Sequence, residues 1–251
     1  MHKNVLLYSG GLDSFIGYWF LKKEYGLDPV LLYVDLGHRY AKQELTAIRT
    51  TLPYMNPREF IIDNSLNLSA FEQDDAFIPN RNAFLAQIGA LYGYNIWLIT
   101  QKGETNIPDR SKEFYEMMSQ QLTYLSGDSL VNLDTPFWDM NKTDMVNWYV
   151  DEGLDIQALK YTHSCYHPVK KTVGIGNTAL NLEFPCGCCG ACFRRWVSMS
   201  LNGIEEQYAV APWSTKLAQE YWAKGRAGFY GEKRDKDILE ALERKGVIKH
   251  D

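Results

Sequence analysis

Short apolar runs alternate with stretches of helical periodicity along most of the chain. Residues 5–8, 30–34, 59–63, 96–100 and 130–133 are brief and mostly apolar, the pattern of strands buried on both faces. Between them, 15–25, 42–52, 82–94 and 112–125 place apolar residues at helical spacing, and 142–152 repeats it after the last run. Gly26, Pro53 and Gly153 mark helix ends. This alternation predicts an α/β fold, a Rossmann-like parallel sheet with helices on both faces. In such sheets ligands occupy the crevice at the carboxyl ends of the strands. The pattern breaks near residue 155. Residues 163–192 read as irregular, with Gly174, Gly176 and Gly187 among them, and helices resume over 193–201 and 235–245. The expected organisation is a large α/β domain over 1–155 and a helical appendage over 156–251 packed on it.

Composition narrows the class. The chain has 251 residues, 45% of them hydrophobic, enough for a sizeable core without covalent staples. The opening apolar run is too short for a signal peptide, and no stretch approaches the roughly 20 apolar residues of a membrane span. A cytoplasmic protein without a membrane partner is expected. The net charge of −5 offers no basic face for phosphate contacts along a nucleic acid, so no nucleic-acid partner is expected. The tail 233–249 mixes both signs and reads as an exposed helix.

The first chemical signal is Tyr8-Ser9-Gly10-Gly11-Leu12-Asp13-Ser14, placed after a strand and opening a helix. Glycines allow a tight turn that brings backbone amides against a ligand, and a helix amino terminus adds partial positive charge. Ser9 and Ser14 add hydroxyl donors. The turn suits a diphosphate-like anion, and Asp13 suits a magnesium ion beside it. The blander reading is a glycine turn with Ser14 as a cap. The Gly-Lys-Ser/Thr ending of GTPase loops is missing. The segment resembles the SGGxDS motif of PP-loop enzymes, which cleave ATP between its α- and β-phosphates.

The second signal is Cys186-Gly187-Cys188-Cys189-Gly190-Ala191-Cys192. Two CxxC steps, Cys186/Cys189 and Cys189/Cys192, supply three thiolates, and Cys165 upstream supplies a fourth. Four soft ligands suit a closed, structural Zn²⁺ site. Cys188 is then a spare, or replaces a neighbour. An iron–sulfur centre or redox chemistry would use the same residue type. Five cysteines in this arrangement do not read as a secreted disulfide framework.

From Val5 to about Arg195 the chain resembles the 7-cyano-7-deazaguanine synthase family of deazapurine biosynthesis. Val34-Asp35-Leu36-Gly37-His38-Arg39 is similar to that family's D-Y-G-Q-R-H. Ile78-Pro79-Asn80-Arg81-Asn82 is similar to its V-P-G-R-N, and Glu104-Thr105-Asn106 with Pro108-Asp109 to its segment ending in Y-P-D-C. Thr135-Pro136 with Lys142 resembles its T-P…K stretch. Ser164-Cys165-Tyr166 and Cys186 through Arg195 resemble its zinc segment. The chain departs from the pattern at Gln101 and Asn80, where the family has glycine, at Arg110, where it has cysteine, and in a shorter loop before Pro108. The segment 207–251 lies outside the resemblance.

The resemblance implies a PP-loop ATP-binding fold with a C-terminal zinc appendage. It implies an ATP-dependent carbon–nitrogen ligase that converts 7-carboxy-7-deazaguanine and ammonia to the nitrile through adenylated carboxylate and amide intermediates. ATP, Mg²⁺ and Zn²⁺ are the expected cofactors. The implied residues are the turn from Tyr8 to Ser14 for ATP, Asp13 with Lys142, Arg81 and Arg195 for catalysis, Asn82 and Asp109 for the substrate, and Cys165, Cys186, Cys189 and Cys192 for the metal. Each has a structural alternative: Arg81 and Asn82 as helix caps, Lys142 as a solvated first-turn lysine, Asp109 as a turn residue, Arg195 as a surface residue, and Asp35 and His38 as satisfied polar groups. Competing functions are a relative that stops at the amide, one that modifies another carboxylate or a tRNA, and a non-catalytic zinc-stabilised nucleotide-binding module. A homodimer is allowed.

Overall fold

A computed structural model describes residues 2–104, 107–127, 129–175 and 178–247. Thr105, Asn106, Gly176 and Lys249, singled out above, lie outside the described residues. The chain forms two compact units, residues 1–141 with 151–163, and residues 142–150 with 164–251.

The first unit is built on five apolar runs that become strands β1 (His2–Leu7), β2 (Val30–Val34), β3 (Phe60–Asp63), β4 (Gly93–Trp97) and β5 (Asn132–Asp134). They pair in parallel in the order β3-β2-β1-β4-β5. Helices α1 (Leu12–Glu24), α2 (Ala41–Met55), α3 (Arg81–Tyr92) and α4 (Lys112–Leu125) make the crossovers. Helices cover both faces: a Cβ on Gly17 of α1 would stand 2.8 Å from Ile99 Cδ1, and one on Gly89 of α3 would stand 2.9 Å from Ile96 Cγ2. Ile96 and Ile99 differ by an odd number of residues and so point to opposite faces. This is the Rossmann-like arrangement the alternation predicts. Strand order reverses between β1 and β4, which makes their carboxyl ends the topological switch point.

Helix α2 does not close at Pro53, as the sequence suggested. It runs to Met55 and ends at Asn56, whose left-handed φ of 45° lets its N–H reach Leu52 O. Proline keeps a helical φ, so in a last turn it costs one donor without ending the helix.

The second unit contains α5 (Lys142–Asp151) up to Val150, the strands β6 (Val169–Ile175) and β7 (Thr178–Phe184), and helices α7 (Gly190–Leu201), α8 (Lys216–Arg226) and α9 (Glu232–Arg244). The short helix α6 (Ile156–Leu159) belongs to the first unit. The segment 163–192 is not irregular as expected. Strands β6 and β7 pair antiparallel, with Val169 opposite Phe184 and Lys171 opposite Leu182. The lysines and threonine of β6 hide a strand from a hydrophobicity reading, and only the Gly-Asn link between the two runs marked a hairpin. Phe193 and Trp196 of α7, Tyr221 of α8, and Ile238 and Leu242 of α9 form the core of this unit. Rings stack within it, Phe193 on Tyr221 at 4.3 Å and Tyr221 on Tyr230 at 5.3 Å between centroids. Asn202 Nδ2 donates to Thr143 O at 3.2 Å, and Lys233 pairs with Asp144, so α5 is tied to α7 and α9.

Candidate functional site

The glycine turn follows β1 and opens α1, at the carboxyl edge of the sheet. Tyr8, the last residue before it, points into the core. Its hydroxyl is 2.5 Å from Thr51 Oγ1, and burial pushes its phenol well above the ordinary range. Tyr8 therefore anchors the turn, and what it offers a ligand is backbone. Gly10 takes φ +69°, and a Cβ there would meet Ile48 Cγ1 at 2.9 Å and Glu44 O at 3.0 Å. Only glycine makes this turn without moving α2. Gly10 O accepts from His163 N at 2.9 Å, so the turn is also braced from its outer side.

The serines shape the turn internally. Ser14 Oγ donates to Gly11 O at 3.2 Å and accepts from Ser9 N at 3.3 Å; Ser9 Oγ accepts from Gly11 N at 3.4 Å. Gly11 is the N-cap of α1 and gives it no side-chain cap. Asp13 sits half-buried in the first turn of that helix. A glycine-cradled turn, an amino terminus without a side-chain cap and a first-turn carboxylate form the donor set that ATP and its magnesium ion require, and the residues present fit both.

Arg81 and Asn82 begin α3 after Asn80, which takes the left-handed φ of 58° that asparagine tolerates. Arg81 Nη1 donates to Tyr40 OH at 2.8 Å, and Asn82 Nδ2 donates to Asp109 O at 3.0 Å. The structure thus brings Asn82 and Asp109 together through the backbone of the 108–110 turn. His38 is buried, its Nε2 2.9 Å from Glu44 Oε2 and its ring 4.3 Å from that of Tyr40. Asp35 accepts from Gly37 N at 2.9 Å.

Lys142 and Arg195 belong to the second unit. Lys142 is the half-buried first residue of α5. Arg195 is not a surface residue: it is 5% exposed. Its Nε and Nη2 reach Glu206 at 2.7–3.0 Å, and Nη1 donates to Ser164 Oγ at 3.1 Å. Burial works against its charge, and the Glu206 carboxylate more than restores it, leaving the guanidinium above its ordinary value. Glu206, which holds Arg195, escaped the sequence reading because only the tertiary fold brings the two together.

The four expected cysteines converge. The sulfurs of Cys165, Cys186, Cys189 and Cys192 all lie within 4.8 Å of one another. A tetrahedron of thiolates about 2.3 Å from an ion has edges of about 3.8 Å, and Cys186 and Cys192 already stand 3.9 Å apart. Backbone N–H groups of Cys186 and His167 donate to Cys165 Sγ, and that of Cys192 to Cys189 Sγ, at 3.2–3.4 Å. Hydrogen bonds from Cys165 and Cys192 hold the Cys189 thiol far below its ordinary range, and the same contacts push the Cys165 and Cys192 thiols above theirs. Cys188 is exposed and outside the cluster. The donor set fits a structural zinc with no open position.

A parallel sheet with this turn after its first strand, joined to a four-cysteine centre, defines a PP-loop fold with a zinc-type appendage. A family model described as "Queuosine biosynthesis protein QueC" matches residues 58–203, more than half of the chain, and the chain belongs to that family. A relative from Colwellia psychrerythraea named "7-cyano-7-deazaguanine synthase 2" is 25% identical over 237 residues, covering 84% of this chain and all of that one. A "7-cyano-7-deazaguanine synthase" from Methanococcus aeolicus is 26% identical over 242 residues, covering 81% of this chain and 97% of that one. A solved structure described as a predicted subunit of tRNA methyltransferase from Methanocaldococcus jannaschii is similar at TM-score 0.42 and 14% identity, over 63% of this chain and 84% of that one. Among the described residues no helix is long and apolar enough to cross a membrane.

Proposed function

We propose that this chain is an ATP-dependent carbon–nitrogen ligase that converts 7-carboxy-7-deazaguanine and ammonia to 7-cyano-7-deazaguanine. One observation carries the reading: in a member of the QueC family, the Gly10–Gly11 turn stands at the carboxyl edge of the sheet and opens a helix without a side-chain cap. The relatives' names agree with it.

A carboxylate resists attack because its leaving group would be oxide. Its oxygen attacks the α-phosphorus of ATP, the bond to the bridging oxygen breaks, and pyrophosphate leaves. Ammonia then displaces AMP from the mixed anhydride and loses a proton, giving the amide. A second ATP is cleaved in the same way by the amide oxygen, and loss of AMP, carrying that oxygen, and of both nitrogen-bound protons leaves the nitrile. Both activations demand an α-phosphate held in line with an oxygen nucleophile. In this reading backbone amides of the turn hold the β- and γ-phosphates, and Asp13 would hold a magnesium ion, which would supply neutralisation of phosphate charge. Lys142 and Arg81 meet the charge that develops on the phosphates. Arg195, already matched by Glu206, serves by holding Ser164 and α7 in place. Asp109 accepts N–H donors of a guanine-like edge, and Asn82 fixes the turn that carries it. The first unit carries the nucleotide-binding turn, and the zinc centre braces the second.

Purified protein supplied with ATP, Mg²⁺, ammonium and 7-carboxy-7-deazaguanine is expected to release AMP and pyrophosphate, and mass spectrometry of the product to find the nitrile. Amide as the sole product would remove the dehydration step and leave the adenylation standing. No acid-dependent ATP cleavage would remove the ligase reading altogether.

A further inference from the structure

Gln101 stands past the end of β4, where its backbone makes an isolated parallel bridge to Phe137. The residue is 4% exposed, and its Oε1 has no hydrogen-bond partner among the described residues. Its neighbour Thr100 is fully engaged: Tyr115 OH donates to Thr100 Oγ1 at 3.0 Å, and Thr135 Oγ1 donates to Thr100 O at 2.7 Å. An unpaired buried amide oxygen is costly, and native folds keep few of them without a reason.

The pleat shows where this oxygen belongs. Thr100 faces α4, through Tyr115. Bridge partners share a face, so Gln101 lies on the face of Phe137, which packs on Phe20 of α1 as Ile99 packs under Gly17 of that helix. Gln101 lies one two-residue repeat, about 6.6 Å, nearer the carboxyl edge than Ile99. Helix α1 runs the other way, and its first residue, Leu12, lies about 7.5 Å from Gly17 along the axis. The amide of Gln101 is therefore level with the first turn of α1. It lies on the β4 side of the switch point, with the glycine turn on the β1 side.

We propose that Gln101 determines substrate specificity, its side-chain carbonyl accepting an N–H from the second substrate held beside the glycine turn. The inference rests on the ligase reading, in which that substrate is a nitrogen-rich heterocycle with ring and exocyclic N–H donors. A neutral amide suits the place, because a carboxylate there would repel the phosphates.

The test compares wild type with Gln101→Met, which keeps the length and removes the acceptor. Three quantities are measured: the melting temperature without ligand, the Kd of a non-hydrolysable ATP analogue, and the Kd of 7-carboxy-7-deazaguanine in its presence. The expected variant melts no lower than wild type, since no internal hydrogen bond is lost. It binds the analogue within twofold and the acid at least tenfold more weakly. A lower melting temperature would reveal an internal partner for Oε1 and overturn the proposal. So would unchanged acid binding, or equal weakening of both ligands. If wild type itself binds no acid, the ligase reading fails and this inference with it. If wild type binds and the variant matches it, this inference alone fails.

Discussion

Gly10 in the first unit and Gly187 in the second both hold positive φ, +69° and +78°, with backbone oxygen standing where a Cβ would go. At Gly10 the nearest atoms would be Ile48 Cγ1 at 2.9 Å and Glu44 O at 3.0 Å. At Gly187 the Val210 carbonyl oxygen would be 1.7 Å away, an overlap no small shift relieves. The turn around Gly10 is shaped by a strand, a helix and two serines close in sequence, and braced by α2 and by His163 N. The knuckle around Gly187 is closed from a distance, with Val210 N donating to Cys186 O at 3.1 Å and Cys165 entering from across a hairpin. The turn's own hydrogen bonds are local and its bracing is tertiary; the cysteine knuckle is closed by tertiary contacts.

The largest effect expected from breaking this comparison is at Gly187. Gly187→Ala should displace the loop that carries Val210, lower the zinc content measured by plasma emission well below one per chain, and destabilise the protein by at least about 3 kcal/mol in denaturant. Full zinc and unchanged stability would show that the knuckle is not closed by Val210. Gly10→Ala should act on the other side of the comparison. Pyrophosphate release should fall at least about a hundredfold while zinc stays at one per chain, with a stability loss of about 1–2 kcal/mol from the left-handed backbone. A variant that loses both equally would mean that the two regions fold as one.

The smallest effect concerns Asp63, at the carboxyl end of β3. Burial works against its charge, yet Ser65 N at 2.9 Å, Ser65 Oγ at 2.6 Å and Tyr92 OH at 2.6 Å outweigh it, and the carboxyl is held below its ordinary range. A lowered folded pKa contributes stability that is present above the unfolded value of about 3.9 and fades as pH falls through the folded value. Asp63→Asn should therefore cost about 1 kcal/mol at pH 7, and melting curves should show the gap to wild type closing below about pH 4. A gap independent of pH would assign the effect to packing.

The five strands and four crossover helices of the first unit were readable because short, largely apolar segments recur between helical ones, β2 being buried throughout and the edge strands β3 and β5 only in part. The glycine turn was readable because its chemistry is local. So were the cysteines, whose convergence follows from residue type and spacing. What stayed hidden depends on contacts between distant residues. Helix α8 was missed, its Tyr221 finding its partners only in α7 and α9. Arg195 was given a surface alternative because Glu206, its counter-ion, is recognisable only in the fold. The orphaned oxygen of Gln101 is a statement about what fails to surround a side chain, and a sequence carries no record of that.

Hairpin β6–β7 occupies the chain between Cys165 and Cys186. Its ladder sets Val169 beside Phe184, so the two ends of the segment meet whether or not a cation arrives. Gathering ligands from a free chain of that length would carry a loop-closure entropy penalty. Here the pairing of two strands has already met most of it. Ion capture by the folded protein should consequently be tighter and faster than by a linear peptide bearing the same thiols at the same intervals.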